Sequence, residues 1–217
     1  MTGFVHSPES LHDAGAALAA EAARFESFGW MRGTSGNLSV VLSREPLQLA
    51  VTASGRDKGS LTPADIVVVD SAGQAVADTA GMRSGLARGT SPVMPSAEAA
   101  LHARVAGLTC AGAVVHVHTV AAVVAGRRWP DGVELAELEM LKAIGAAAAG
   151  EQVTLPVISN SQNMKELGDR LETAWTPQVP AIVVANHGLY AWGRELLQAR
   201  HHTEVVQWLL EVMIALD

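Results

Sequence analysis

Cysteine occurs once, at Cys110, in 217 residues, so no internal disulfide framework can staple this chain. No run of lysine and arginine marks a basic face, and 15 basic against 22 acidic residues leave a formal charge of −7. That balance excludes the electrostatic footprint of a nucleic-acid binder. Long apolar runs are missing too. AGAALAAEAA and IGAAAAG are cut by charges or glycines well before the roughly 18 to 20 residues that a membrane span requires. The first residues carry neither the basic nor the apolar block of a secretory leader. The expectation is a cytoplasmic protein whose partners are small molecules or further copies of itself, with no nucleic acid and no membrane.

What is present is apolar: 49% of the residues are hydrophobic, enough to bury a sizeable core, so one domain over 1–217 is expected. Ser7 and Pro8 open a helix that runs over 8–28 and stops near Gly29. Short strands follow at LSVVL, LQLAVTA and DIVVVD, with a turn at Arg44 to Pro46 and a helix start at Thr62-Pro63. GMRSGLARGTSPVMP, residues 81–95, is broken by glycine and proline and reads as a surface loop. Beyond it, helices are expected over 96–107, 119–126, 137–148, 163–174 and 195–216, and strands over 111–118, 153–158 and 181–186. This mixture predicts an α/β fold, a three-layer α/β/α sandwich around a central, mainly antiparallel sheet.

Imidazoles interrupt the apolar strand AVVHVHTV at His116 and His118. Alternate residues of a strand share a face, so the two rings can converge on one ion. The competing reading is two unrelated structural histidines. In IVVANHGLYAWG a second apolar strand ends in His187 with Gly188 immediately behind it, a glycine that allows close backbone approach or an unusual turn. His187 is therefore the candidate third ligand. Three protein ligands with one position left open are the pattern of a catalytic zinc site. His6, His12, His201 and His202 belong to the first and last helices, where solvated or packing roles suffice.

Two carboxylates and two turn segments complete the candidate chemistry. Glu98, in MPSAEAALH, either serves catalysis or simply complements a helix dipole. His102 lies four residues later on the same face, as an imidazole supported by that carboxylate or as a plain structural pair. Glu139, in ELEMLKAIG, is flanked by Glu134 and Glu137 and fits a solvated acidic face as well as a catalytic role. TSGNLS (34–39) and TASGRDKG (52–59) expose backbone N–H groups in the manner of anion-binding nests, although the same residues make ordinary turns. A phosphate pocket beside a three-histidine metal points to a phosphorylated sugar.

In this order, TSGNLS, SGRDKGSLTPAD, PSAEAALH, HVHTV, ELEMLKAIG and NHGLYAWGRELLQARHH span most of the chain and resemble the class II aldolase/adducin family. Within that family they are most similar to the bacterial dehydratases of methionine salvage. The resemblance implies one zinc ion per subunit on His116, His118 and His187, and phosphate around Asn37, Ser54, Gly55 and Ser96. It makes Glu139 the acid/base and gives Glu98 a role near the metal or in assisting proton transfer. It further implies a homotetramer with sites near subunit interfaces, and zinc-dependent dehydration of the phosphorylated ketose 5-methylthioribulose 1-phosphate to 2,3-diketo-5-methylthiopentyl 1-phosphate. The alternatives are a class II sugar-phosphate aldolase of the fuculose-phosphate type and a non-catalytic adducin-like scaffold. Met94 departs from the basic residue that those dehydratases tend to place before Pro-Ser. No tyrosine-bearing extension follows the last helix, and Tyr190 is the only tyrosine, which weighs toward dehydration.

Overall fold

The computed structural model describes residues 11–76, 93–145 and 152–217. Helix α1 (Leu11–Ser27) buries Ala14, Gly15, Leu18, Ala22 and Phe25, a stripe at helical spacing. It ends where Gly29 takes a φ of +73°. There Trp30 N–H bonds Phe25 O at 3.0 Å and Gly29 N–H bonds Glu26 O at 2.7 Å. This is a Schellman stop, closed by the expected apolar contact, since the Phe25 and Trp30 rings stack at 5.8 Å. The stop also serves the site, because Trp30 O then accepts the backbone N–H of His118 at 2.9 Å.

Three strands follow, β1 (Asn37–Arg44), β2 (Leu47–Thr52) and β3 (Ile66–Asp70). Pro63 to Asp65 make the expected helical turn before β3. Next come α2 (Ala99–Thr109), β4 (Ala113–Val117), α3 (Val120–Arg128) and β5 (Val133–Ala136). The chain finishes with β6 (Gln152–Leu155), β7 (Val157–Ile158), α4 (Met164–Ala174), β8 (Ala181–Val184), β9 (Gly188–Gly193) and α5 (Leu196–Leu216). Seven strands join in the order β3-β2-β1-β4-β9-β8-β7. Among the described residues only the β7–β8 pair is parallel.

Alternation along the central strands divides the core in two. Ala113, Val115 and Val117 of β4 and Leu189 and Ala191 of β9 pack with α1, α3 and α5. Val114, Tyr190 and Trp192 face α2 and α4, and α2 also covers β2 and β3. A strand buried on both faces reads as a continuous apolar run. His116 shares a face with Val114, so it points toward the α2 side.

Three expectations are corrected. The helix expected over 137–148 is a six-residue 3-10 segment, Glu139–Ile144, whose part beyond 145 lies outside the described residues. Its buried residues, Leu141 and Ile144, are three apart, the period of a 3-10 helix rather than an α-helix. The strand expected over 153–158 is split at Pro156, which has no N–H to donate. Its first half pairs with β5 in a separate ribbon, and its second half forms the sheet edge. The apolar strand ending at His187 stops at Val184. Asn186 then turns the chain in the left-handed region, and residues 188–193 return as a full strand. The predicted loop over 81–95 falls mostly outside the described residues.

Gly188 is where backbone approach is closest. A Cβ there would lie 2.3 Å from Val117 O and 3.2 Å from His116 Cε1. Gly188→Ala should therefore force β4 and β9 apart and lower the unfolding free energy by about 1–3 kcal/mol. Gly107, exposed on α2 with open space around it, is the counterpart: Gly107→Ala should stabilise by about 0.5–1 kcal/mol. Urea unfolding of both variants measures the two signs.

Candidate active site

Three histidines converge at one end of the β4–β9 pair. Their ring centroids lie 4.6 to 4.8 Å apart, and one ring nitrogen of each falls within 4.8 Å of the others. His116 is fully buried. Its Nδ1–H donates to Leu189 O at 3.1 Å, which leaves the Nε2 lone pair aimed at the centre. Metal-ligating histidines are held in this way, with the outer nitrogen on a backbone carbonyl. His118 follows directly after β4, and its Nε2 lies 2.8 Å from that of His116. His187 is supplied by the β8–β9 turn, and its Nδ1 is buried without a hydrogen-bond partner among the described residues. The set of three imidazoles fits a divalent metal ion.

Glu98 closes the triad from the α2 side. It stands at the α2 N-cap but makes no capping bond, and its carboxylate turns instead to the histidines. Oε2 lies 3.3 Å from His116 Nε2, and Oε1 lies 3.3 Å from His187 Nε2. Burial pushes its carboxyl up, but the charge of His116, a hydrogen bond from Asn37 and the charges of His187 and His102 outweigh that effect. Together they hold it at about 2. Asn37 Nδ2–H donates to Glu98 Oε2 at 2.7 Å, and the same side chain touches His102 at its other end. Tyr190 lies flat beneath His116, with ring centroids 4.0 Å apart.

Beside the triad opens a cavity of about 270 Å³. Thr34 to Asn37, Ala53 to Gly55, Lys58, Ser96 to Glu98, Ser161, Gln162 and Met164 line it, together with His118 and His187. All four residues expected around phosphate, Asn37, Ser54, Gly55 and Ser96, are on this wall. Gly36 is required there, because at a φ of +73° a Cβ would lie 2.9 Å from His116 O. Among the described residues Lys58 is the only lysine or arginine of the lining. It is almost fully buried, and its ammonium donates to Thr34 O at 3.0 Å and Arg56 O at 2.8 Å. Those bonds tie the two turn segments together. Burial lowers its pKa, partly offset by Asp57.

The structure places Glu139 elsewhere. Its side chain is 79% exposed, pairs with Lys142 at 2.7 Å and does not line the cavity. His12 and His201 are exposed. His202 is buried, with Nδ1–H donated to Trp192 O, a packing role, and His6 lies outside the described residues. The sequence offered Lys58 only among the cationic donors of TASGRDKG, and it pointed to no role for Tyr190 beneath the three histidines. The signal for Lys58 was the cation inside SGRDKG. For Tyr190 it was the strand register, which only the β4–β9 pairing supplies.

Burial pushes the His116 and His102 rings down to about 3 and about 4, with Glu98 pulling each partly back. Both values lie below the unfolded one, near 6.5. Between these limits the unfolded chain binds more protons, so stability falls as pH drops below about 6.5. Glu98, depressed toward 2, adds the same sign below its own unfolded value. Metal-free protein should therefore lose stability from pH 7 to 4.5, by up to about 1.4 kcal/mol per pH unit for each imidazole. Denaturant titrations at the two pH values read this directly, and equal stability would show that the rings accept protons in the folded state.

Residues 16–214 match the family described as class II aldolase and adducin N-terminal domain. A methylthioribulose-1-phosphate dehydratase from Sulfurihydrogenibium sp. is 36% identical over 187 residues, covering 85% of this chain and 81% of that protein. One from Bacillus cereus is 34% identical over 187 residues, covering 86% and 82%. The L-fuculose-1-phosphate aldolase of Thermus thermophilus shares the fold, with a TM-score of 0.70 over 94% of this chain and 95% of its own, at 22% identity. With a family match across nearly its whole length and relatives at this level of identity, the chain belongs to the class II aldolase and adducin family.

Proposed function

We propose that this protein is a zinc-dependent dehydratase that converts 5-methylthioribulose 1-phosphate to 2,3-diketo-5-methylthiopentyl 1-phosphate in methionine salvage. One observation carries the reading: His118 and His187 of the three-histidine set line one cavity with Glu98, with turn segments suited to an anion and with the buried Lys58. The dehydratase relatives, at 34–36% identity, favour loss of water over the carbon–carbon cleavage of the more distant aldolases.

His116, His118 and His187 would hold the ion. When bound, it supplies Lewis-acid polarisation of a substrate oxygen. The chain's own residues do the rest. Lys58, the Gly55 N–H and the hydroxyls of Ser54 and Ser96 receive the phosphate, the Ser54 N–H being already given to Met94 O, while Asn37 acts through Glu98. Glu98 is ionised at neutral pH and presents a carboxylate beside the triad. Dehydration removes the C3 proton and the C4 hydroxyl as water, and the enol left between C3 and C4 ketonises with a proton added at C4. Purified protein loaded with zinc should form the diketone and no triose phosphate, should stop after chelation, and should act poorly on the dephosphorylated sugar. Triose phosphate as the product would establish an aldolase instead.

Glu139, as the proton-transfer group that the resemblance implies, meets substrate only if a neighbouring subunit of a homotetramer receives it, since it is exposed and absent from its own cavity wall. Glu139→Gln should then keep its zinc and lose about 10²- to 10⁴-fold in kcat. Subunits carrying Glu139→Gln and subunits carrying His118→Ala, each inactive alone, should regain activity when reassembled together. A nearly active Glu139→Gln protein beside a zinc-loaded, inactive Glu98→Gln protein would hand proton transfer to Glu98.

A further inference from the structure

Glu98 stands at the end of a line of buried polar groups. Ser39 Oγ lies 2.8 Å from His102 Nδ1, His102 Nε2 lies 2.5 Å from Asn37 Oδ1, and Asn37 Nδ2 lies 2.7 Å from Glu98 Oε2. Ser39 and His102 are fully buried, and Asn37 nearly so. The first and third members come from one face of β1, and the other two from successive turns at the start of α2. The i, i+4 spacing of Glu98 and His102 thus works across a strand residue that bridges them.

The proton positions follow from the far end of the line. A carboxylate only accepts, so Asn37 turns its NH₂ to Glu98 and its carbonyl oxygen to His102. That oxygen also only accepts, so His102 carries a proton on Nε2. Full burial keeps the ring neutral, which leaves Nδ1 as a lone pair that the Ser39 hydroxyl satisfies. None of the four groups can reverse alone.

We infer that His102 is a positioning residue for Glu98: its Nε2–H holds Asn37 in the amide orientation that presents a donor to the carboxylate. With the amide reversed, oxygen would face oxygen at hydrogen-bond distance in a buried site, and the carboxylate would leave its place beside His116 and His187. Ser39 supports the same tautomer one step further back. The effect of His102 on turnover rests on the function proposed above. Its tautomer does not.

Two measurements test this. In metal-free protein with ¹⁵N-labelled histidine, long-range ¹H–¹⁵N correlation at pH 7 should show His102 as the neutral Nε2–H tautomer, identified by the signal lost in His102→Gln. Ser39→Ala should shift the Asn37 side-chain amide. An Nδ1–H ring, or an Asn37 amide indifferent to Ser39→Ala, overturns the inference, whatever the enzyme's substrate proves to be. In the zinc-loaded enzyme, His102→Leu should lower kcat by about 10- to 100-fold, the usual effect of losing a group that orients a site, with KM nearly unchanged. His102→Gln, which retains an N–H donor, should restore most of the loss. A His102→Leu enzyme with reduced thermal stability and unchanged kcat also overturns the inference, since His102 would then only fill space. If the unmodified enzyme leaves methylthioribulose 1-phosphate untouched, the proposed function fails while the tautomer measurement still decides the role of His102.

Discussion

Close antiparallel pairing of β4 with β9 is the constraint on which the site depends. Leu189 supplies the carbonyl that fixes the His116 tautomer, and Tyr190 supplies the ring on which His116 lies. Gly188 lets the strand pass within contact of Val117 O. The turn just before Gly188 swings His187 to the same end of the sheet, where His118 has just left β4. All three histidines therefore depend on one strand pair for their placement. The third dimension comes from α1, whose Schellman stop presents Trp30 O to the backbone of His118. His116 and the backbone of His118 are thus tied to neighbouring strands and to α1, while His187 is placed by the turn alone.

Much of this was legible in the residues, because period-2 alternation and metal spacing are local signals. His116 and His118 announced their shared face within one strand. Gly188 announced a close approach, and the layered α/β/α fold followed from the alternation of apolar periods. The failures were of another kind. Residues 137–148 have the composition of an α-helix, but within the described Glu139–Ile144 burial falls only on Leu141 and Ile144, three residues apart, so a 3-10 segment satisfies the packing. Strand β9 was hidden because GLYAWG is buried on both faces and lacks alternation. Local pattern cannot locate a side chain relative to a cavity made by distant segments. Glu98 and Glu139 looked comparable in sequence, yet the first is enclosed by three histidines and an asparagine while the second lies in solvent.

Charge on the whole molecule says little about the site. The chain carries a formal −7, which by itself would repel a phosphate ester. Exposed charges are screened beyond about 8–10 Å at ordinary ionic strength, whereas Lys58 faces the cavity from inside the protein. Its ammonium is held by two carbonyl dipoles, and no carboxylate forms an ion pair with it among the described residues. Local potential therefore governs ligand choice, and the acidic surface governs solubility.

Glu98 presents the opposite sign at the other wall of the same cavity. A buried carboxylate remains ionised only where polar partners compensate for lost hydration, and here Asn37 donates a hydrogen bond while the rings of His116 and His187 stand 3.3 Å from its two oxygens. Lys58 and Glu98 line the same cavity, so it offers one buried cation and one buried anion to whatever enters. A phosphate received at Lys58, as proposed above, has to keep clear of the Glu98 carboxylate, since two buried anions in contact repel strongly. That requirement constrains how a sugar phosphate lies in the cavity before any contact with the rest of its carbon chain is made.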